Sequence, residues 1–194
     1  MKPQKNKDCY QELTPKISLE LYGDGSRAYD KVRLMYMDEA GFGRISEPKR
    51  CWCPKSIRPI VPRSHVREYR YAYGAADPKD GEFFSLVLPY ANTDCMNIFL
   101  RHLSWKYSKD MILLALDQAS WHTTKKLIVP KNIKLFFLPP KTPELNPIEQ
   151  IWKEVRAKGF KNEFFKTLSK VIDRLCDALV SLTSEQIKSI VGRK

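Results

Sequence analysis

The sequence predicts an α/β fold in which a mixed β-sheet is flanked by α-helices. Strand-like segments crowd the first half of the chain, whereas apolar strands alternate with helical segments in the second half. This order is typical of a mixed sheet with helices on its faces. A chain of 194 residues, 43% of them hydrophobic, is long enough to form one ordinary core.

Six segments have the composition of β-strands. Residues 111–116 (MILLAL) and 133–138 (IKLFFL) are continuous apolar runs, which are typical of strands buried on both faces of a sheet. The turn sequence DPKDG at 77–81 predicts a hairpin between the strands on either side of it. The predicted strands are 32–37, 50–53, 67–75, 82–88, 111–116 and 133–138.

Apolar residues at three- and four-residue spacing predict the helices. A long amphipathic helix covers 163–182, and another begins at Pro147 just after a proline-rich loop. The predicted helices are 93–107, 120–129, the segment from Pro147, 163–182 and a short last helix from about Ser184.

The chain carries a formal net charge of +12, which predicts a polyanionic partner such as DNA. Residues 44–70 hold eight Lys and Arg side chains against two glutamates. Solvated protein faces also collect such residues, but we favour DNA contact because the whole chain is basic. The candidate nucleic-acid contacts are Arg44, Lys49, Arg50, Lys55, Arg58 and Arg63.

Neither a membrane span nor a secretion signal is predicted. The sequence has no run of about 18 apolar residues. Its N-terminus, MKPQKNKDCY, lacks the apolar core of a signal peptide. We therefore expect a soluble cytoplasmic protein with no membrane partner.

Two predicted strands each run directly into an aspartate, Asp38 and Asp117. A charged group beside a buried strand is costly unless it is paired or binds a metal. If the two strands are parallel neighbours, both carboxylates lie at the same edge of the sheet, where open α/β sheets bind ligands. The ordinary alternative is that each aspartate only starts a turn after its strand.

Glu149 is a third candidate, because it lies in the first turn of the helix predicted after Asn146-Pro147. Asn146 suits the N-cap and Pro147 the first helical position, so Glu149 occupies the position of a capping-box glutamate. It also lies about 110° from the centre of the apolar stripe, on the border of the buried face. There it can either cap the helix or reach past the sheet edge, whereas Glu144, in the loop before it, has no fixed direction.

Three carboxylates from three separate elements suit a hard divalent cation such as Mg²⁺, which prefers oxygen ligands. Two such ions can activate a nucleophile and stabilise the leaving oxygen of a phosphodiester. Basic surroundings would hold the DNA backbone. Asp38, Asp117 and Glu149 are therefore the candidate catalytic residues and metal ligands.

Four segments resemble transposases of the mariner superfamily, in the bacterial insertion-sequence branch with a DDE endonuclease domain. They are MDEAGFG (37–43), CWCPKSIRPIVP (51–62), LDQASWH (116–122) and LPPKTPELNPIEQIW (138–152). The segment PELNPIE, followed by Trp152, is close to a family signature and comes after the two aspartates in the family's order.

The resemblance implies an RNase H-like fold and an enzyme that cleaves double-stranded DNA at transposon ends and transfers the cut strand to a target. It implies that Asp38, Asp117 and Glu149 bind two Mg²⁺ ions, with Mn²⁺ as a substitute. Water is then the first nucleophile and a freed 3′-hydroxyl group the second. A homodimer or higher assembly on DNA and a bacterial, nucleoid-associated location also follow from it.

Two features depart from the family pattern. Asp117 and Glu149 are 32 positions apart, slightly fewer than the family leads us to expect. Residues 1–31 contain no credible pair of helix-turn-helix modules, which family members carry upstream to recognise element ends. We predict an accessory segment over 1–31, a catalytic domain over 32–158 and a helical extension over 159–194, with a separate helix-turn-helix polypeptide as a candidate partner.

Two other functions stay open, a non-catalytic DNA-binding or dimerising remnant and another RNase H-like nuclease. Trp52 is predicted to lie in the core rather than against DNA, and Trp152 to pack. Glu39 is predicted to point away from Asp38, because successive side chains of a strand alternate. His122 either orients substrate or is a satisfied histidine at a helix start.

Overall fold

The computed structural model of the chain describes residues 29–46, 48–140, 142 and 145–192. Within these ranges the chain forms five strands and four α-helices. No described helix combines the length and the apolar composition needed to cross a membrane. In chain order the elements are β1 (Lys31–Gly43), β2 (Tyr69–Asp77), β3 (Glu82–Leu88), α1 (Thr93–Lys106), β4 (Asp110–Leu116), β5 (Ile133–Phe137), α2 (Ile148–Gly159), α3 (Leu168–Val180) and α4 (Ser184–Val191).

The strands form one mixed sheet with the order β3-β2-β1-β4-β5. β1, β2 and β3 pair antiparallel, whereas β4 pairs in parallel with β1 on one side and β5 on the other. Six of the seven residues of β4 are buried, in agreement with its uninterrupted apolar sequence. The predicted mixed sheet, including the hairpin of β2 and β3, is confirmed.

Helices cover both faces of the sheet and create two core layers. On one face α1 packs Phe99 against Met35 and Met37 of β1. On the other face α2, α3 and α4 surround Trp152 and pack against Phe42 of β1. Odd- and even-numbered residues of β1 therefore enter different layers, because side chains alternate along a strand.

Strand β1 is longer than predicted. The sequence pattern ended it before Asp38, because aspartate is a poor strand residue. In the structure it continues to Gly43, since its second half pairs with β2. Its parallel pairing with β4 ends at Tyr36 and Ala115. Asp38 therefore lies inside a strand, just beyond the parallel part of the sheet.

Two predicted elements are wrong. Residues 50–53 form no strand, because they belong to an exposed excursion over residues 48–63, here called the arm, where no described strand lies beside them. Residues 120–129 form turns rather than a helix. The Ile128 N–H there donates to the Asn97 side chain of α1 at 2.8 Å, so tertiary contacts replace helical hydrogen bonds.

Part of the predicted organisation falls outside the described residues. This holds for the accessory segment, except for its last three positions, and for Glu144. Helices α3 and α4 of the predicted extension share one core cluster with α2. The domain boundaries at residues 31 and 158 stay predictions.

Trp152 sets how closely helix α2 approaches the sheet. Its indole is buried and meets the rings of Phe42 and Phe83 edge-on. It also lies over Gly74 of β2, where an added Cβ atom would be 2.7 Å from the indole Cη2. Such a distance is sterically forbidden, so only glycine leaves room for the indole at this position.

Gly74→Ala is expected to destabilise the fold by about 1–3 kcal/mol, because the added methyl group overfills a packed core. Gly41→Ala on the neighbouring strand β1 is the matched control, since the nearest contact of its added Cβ would be an ordinary 3.5 Å. Urea unfolding followed by tryptophan fluorescence measures both variants. Equal stabilities would contradict the close approach of Trp152 to Gly74.

Candidate active site

Asp38 and Asp117 lie at the same edge of the sheet. Asp117 directly follows β4, and Asp38 lies two residues beyond the last parallel pair of β1 with β4. The two strands are parallel neighbours, as the sequence analysis expected, so their carboxyl-terminal ends meet at one edge.

Asn146 fixes the start of helix α2 beside Asp38. Its side-chain amide donates a buried hydrogen bond of 2.9 Å to the backbone carbonyl of Met37. Its Oδ1 atom accepts from the backbone N–H of Ile148 at 3.4 Å. The first turn of the helix is thereby joined to the strand residue that precedes Asp38.

The helix start differs from the prediction. Pro147 rather than Asn146 is the N-cap residue, and it makes no side-chain cap hydrogen bond. The predicted arrangement, with Asn146 as the N-cap and Glu149 in a capping box, is therefore wrong, although Asn146 Oδ1 still accepts from the Ile148 N–H while the side-chain amide donates to strand β1. The Glu149 carboxylate is not used for capping, and it faces a cavity.

This acidic cavity has a volume of about 330 Å³ and brings the three predicted acids together. Asp38 comes from within β1, Asp117 from the end of β4 and Glu149 from the first turn of α2. The Asp117 side chain is 60% exposed, so the cavity is open to solvent. The remaining lining residues are Gln118, Ala119, Leu138, Pro139, Pro140, Thr142 and Asn146.

Asp38 has a strongly raised pKa. Burial raises its pKa to about 7, and the negative charges of Glu149, Glu39 and Asp117 act in the same direction. The Trp152 indole Nε1–H donates to Asp38 Oδ2 at 3.2 Å. The negative charges near Asp38 favour its protonated form, and a cation in the cavity would favour its charged form.

His122 connects Asp117 to one further acidic residue, Glu39, at this edge. Its Nε2 lies 2.9 Å from Glu39 Oε1, and its Nδ1 lies 2.9 Å from Asp117 Oδ1. Burial alone would lower the pKa of His122, but the hydrogen bond and charge of Glu39, with the charge of Asp117, raise it above its ordinary value. Glu39 thus contacts His122 and Trp121 on the opposite face of β1 from Asp38.

A second cavity of about 490 Å³, here called the basic groove, lies further along the same helix and strand. None of the described residues that line it is acidic. Lys153 and Arg156 follow Glu149 by four and seven positions, so all three lie on one side of α2. The basic residues of the groove are Lys49, Lys153, Arg156 and Lys161.

Arg156 is exposed on helix α2 and contacts strand β1 in this groove. Its guanidinium lies 4.9 Å from the centroid of the Phe42 ring and donates to the Gly41 carbonyl at 3.4 Å. These contacts restrict the guanidinium in part, so it loses less conformational entropy when it binds a phosphate.

The predicted nucleic-acid contacts separate into three groups. Lys49 lines the basic groove. Arg44 lies at the base of the arm, where it donates to Glu68 at 2.8 Å and to the Phe165 carbonyl at 3.2 Å. The other predicted contacts are exposed on the arm, and they are Arg50, Lys55, Arg58 and Arg63.

The prediction that Trp52 lies in the core is wrong. Trp52 is on the arm and is fully exposed, at 104%. The arm is held at its base, where the Ser46 N–H donates to the Ser64 carbonyl at 3.2 Å. Residues 48–60 are all exposed, so no described part of the chain covers the indole.

The fold belongs to the RNase H-like class, since its mixed sheet and flanking helices match those of Mos1 mariner transposase. The catalytic domain of Mos1 superimposes with a TM-score of 0.58 at 13% identity, covering 91% of this chain and 82% of that chain. The Mos1 paired-end complex with Mn gives a TM-score of 0.64 at 16% identity, covering 91% and 56%. At these identities the likeness shows a shared fold.

The family model of the DDE superfamily endonucleases matches residues 33–172, and the chain belongs to this family. An uncharacterised protein, y4pE/y4sA of Sinorhizobium fredii, is 39% identical over 121 residues, which are 62% of this chain and 90% of that protein. The Tc3 transposase of Caenorhabditis elegans is 31% identical over 111 residues. That alignment covers 52% of this chain but only 32% of the Tc3 protein.

Asp38→Asn is expected to stabilise the metal-free protein at high pH. The pKa of Asp38 is about 7 in the folded protein, above the ordinary value of 3.8. The contribution of this carboxyl group to the free energy of unfolding is therefore fully present below pH 3.8 and is lost as the pH rises through 7. Removing the charge should restore up to roughly 4 kcal/mol at pH 8 and less at pH 5. Thermal unfolding in EDTA at the two pH values measures this difference.

The matched control is Asp173→Asn, whose carboxylate is exposed and lies 3.7 Å from Lys170. An exposed ion pair contributes roughly 0–1 kcal/mol, so this variant should unfold like the wild type at both pH values. An Asp38→Asn protein that is no more stable than the wild type at pH 8 would argue against the burial of a repelled charge.

Proposed function

We propose that the chain is the catalytic domain of a transposase, which cleaves double-stranded DNA at transposon ends and joins the cut strand to a target. Membership of the DDE superfamily endonucleases and 31% identity to the Tc3 transposase support this proposal. The observation that carries it is the acidic cavity, where carboxylates from β1, β4 and α2 meet.

The acidic cavity is chemically suited to divalent metal ions. Its three acids offer carboxylate oxygens, the ligands that Mg²⁺ prefers, and the pKa of Asp38 is raised first by burial and then by neighbouring negative charges that a cation would offset. Among the described residues, no three His, Cys, Asp or Glu side chains lie close enough together to hold one ion. We infer two ions that share Asp38, Asp117 and Glu149, because two ions can serve the attacking and the leaving oxygens of a phosphodiester.

When bound, Mg²⁺, or Mn²⁺ in its place, activates the nucleophile and stabilises the charge on the leaving oxygen. The Mos1 complexes that share this fold contain Mn or Mg. The protein holds the acids in place through two hydrogen bonds. Trp152 donates to Asp38, and Asn146 joins α2 to β1. Water would attack a phosphodiester at the transposon end and break its P–O3′ bond to free a 3′-hydroxyl group, which would then attack a target phosphodiester and displace the target strand's own 3′ oxygen as the new bond forms.

The basic groove is the proposed path of the DNA backbone away from the acidic cavity. Arg156 lies seven residues after Glu149, which corresponds to about 10 Å along the helix, a distance of one or two backbone phosphates. The exposed Arg50, Lys55, Arg58 and Arg63 of the arm would contact a more distant part of the DNA. The total charge of +12 supports binding of this kind.

We further propose that the protein assembles as a homodimer or larger complex on DNA. The Mos1 structures that share its fold include complexes with transposon ends. A helix-turn-helix polypeptide is proposed as a partner that reads the ends.

Two alternatives make different predictions. A non-catalytic remnant would bind DNA without cleaving it, and the presence of three acids on one cavity argues against it. Another RNase H-like nuclease would cleave without strand transfer, and the identity to Tc3 transposase argues against that.

Asp38→Asn, Asp117→Asn and Glu149→Gln are each expected to reduce nicking of duplex DNA in Mn²⁺ or Mg²⁺ by at least about 100-fold, because each removes a metal-binding charge. Glu154→Gln on the same helix is the control, since that carboxylate pairs with Lys158 at 3.5 Å and lies outside the cavity. A wild type as inactive as Asp117→Asn, with both proteins still binding DNA, would establish the remnant alternative.

Lys153→Ala and Lys161→Ala are each expected to weaken binding of a short duplex and to lower the salt dependence of log K by about one unit, because each removes a phosphate contact. Lys158→Ala is the matched control, since Lys158 lies on α2 but outside the groove. Fluorescence anisotropy at several salt concentrations, in the Asp38→Asn background, measures all three. Equal salt slopes for groove and control variants would exclude the proposed path.

A further inference from the structure

His122 lies between carboxylates that belong to two different strands. Its Nε2 atom is 2.9 Å from Glu39 Oε1 of β1, and its Nδ1 atom is 2.9 Å from Asp117 Oδ1 at the end of β4. The backbone carbonyl of Asp117 is also close, at 3.3 Å from Nδ1. The imidazole therefore joins the two strands at the edge that holds the acidic cavity.

The hydrogen-bonded series Glu39, His122 and Asp117 extends from the protein interior to its surface. The side chains of Glu39 and His122 are 6% and 1% exposed, whereas that of Asp117 is 60% exposed. Glu39 is held from a second side by the Trp121 indole Nε1–H, at 3.2 Å. Glu39 is thus a buried carboxylate with two hydrogen-bond partners. It anchors His122, which contacts the exposed carboxylate of Asp117.

The two oxygens of Asp117 have different surroundings. Oδ1 lies against His122 and also accepts from the Ala119 backbone N–H at 3.1 Å. Oδ2 receives no hydrogen bond from the described residues. Because an exposed aspartate without such contacts rotates freely about its side-chain bonds, this asymmetry selects one orientation of the carboxylate.

We propose that His122, anchored by Glu39, is a positioning residue that fixes Oδ1 of Asp117 and turns Oδ2 toward the acidic cavity for metal binding. The proposal rests on the proposed function, in which Asp117 is a metal ligand. Hydrogen bonds of this kind orient metal ligands in many proteins, and their loss typically weakens metal affinity by about 10–100-fold. Neither His122 nor Glu39 has to touch the metal or the DNA.

The test measures Mn²⁺ binding to the full chain without DNA, with electron paramagnetic resonance as the readout. His122→Gln is expected to weaken binding of the affected ion by about 10–100-fold, because glutamine reaches the Glu39 side but not the Nδ1 position. His122→Asn is the matched variant, since its amide reaches the Nδ1 position but not Glu39, so it is expected to lose only the several-fold affinity that the Glu39 anchor contributes. Thermal unfolding in EDTA checks that both proteins are folded.

Glu39→Gln keeps the test valid if the histidine variants do not fold. It preserves the size of the side chain while weakening the anchor, and it is expected to reduce Mn²⁺ affinity in the same direction by several-fold. In the double variant Asp117→Asn with His122→Gln, the loss should not exceed that of Asp117→Asn alone, because His122 acts through Asp117.

Two results would overturn the proposal in distinguishable ways. If folded His122→Gln and Glu39→Gln bind Mn²⁺ as tightly as the wild type while Asp117→Asn does not, the positioning role is excluded and the metal site remains. If Asp117→Asn also binds as tightly as the wild type, the metal site itself is excluded, and the proposed function fails with it.

Discussion

The packing of Trp152 on Gly74 determines where helix α2 lies on the sheet, and the geometry of the acidic cavity depends on this contact. Its indole donates to Asp38, and Glu149 lies three residues earlier on the same side of the helix. Asn146 makes a second connection one turn earlier, through the Met37 carbonyl. One helix thus holds one acid of the cavity and orients another.

This arrangement places stability and activity in opposition. Asp38 is buried among acidic groups, and its raised pKa measures the free energy needed to keep it charged without a cation. In the proposed function a bound metal ion would lower that cost, which would couple metal binding to folding at this position. The same helix continues into the basic groove, so a single element relates the acids to the proposed DNA path.

The sequence predicted the mixed sheet well, because its apolar runs and turn residues are local signals. It also predicted that Asp38 and Asp117 share an edge, because parallel strands end together. It could not predict the full length of β1, since Asp38 is accommodated by pairing with β2 and by Trp152, both of which are distant in sequence. The sequence also could not predict the turns at 120–129, which depend on tertiary contacts. Nor could it predict the exposure of Trp52, which no described part of the chain covers.

The contacts among the site residues also could not be predicted from the sequence pattern. Nothing in the spacing of Glu39 and His122 indicates that they meet, because their contact requires two strands and a turn to come together. Lys153 and Arg156, by contrast, follow Glu149 at helical spacing, so the pattern did contain a signal for the groove. The predicted DNA contacts were instead placed mainly on the arm, because positive charge is concentrated at 44–70 in the sequence.

The most direct test is a crystal structure of the full chain soaked in Mn²⁺, with anomalous scattering used to locate the ions. The proposed metal site predicts anomalous peaks within coordination distance of Asp38, Asp117 and Glu149, with Asp117 Oδ2 rather than Oδ1 as the ligand atom. Manganese bound only elsewhere, with these three carboxylates uncoordinated, would contradict it.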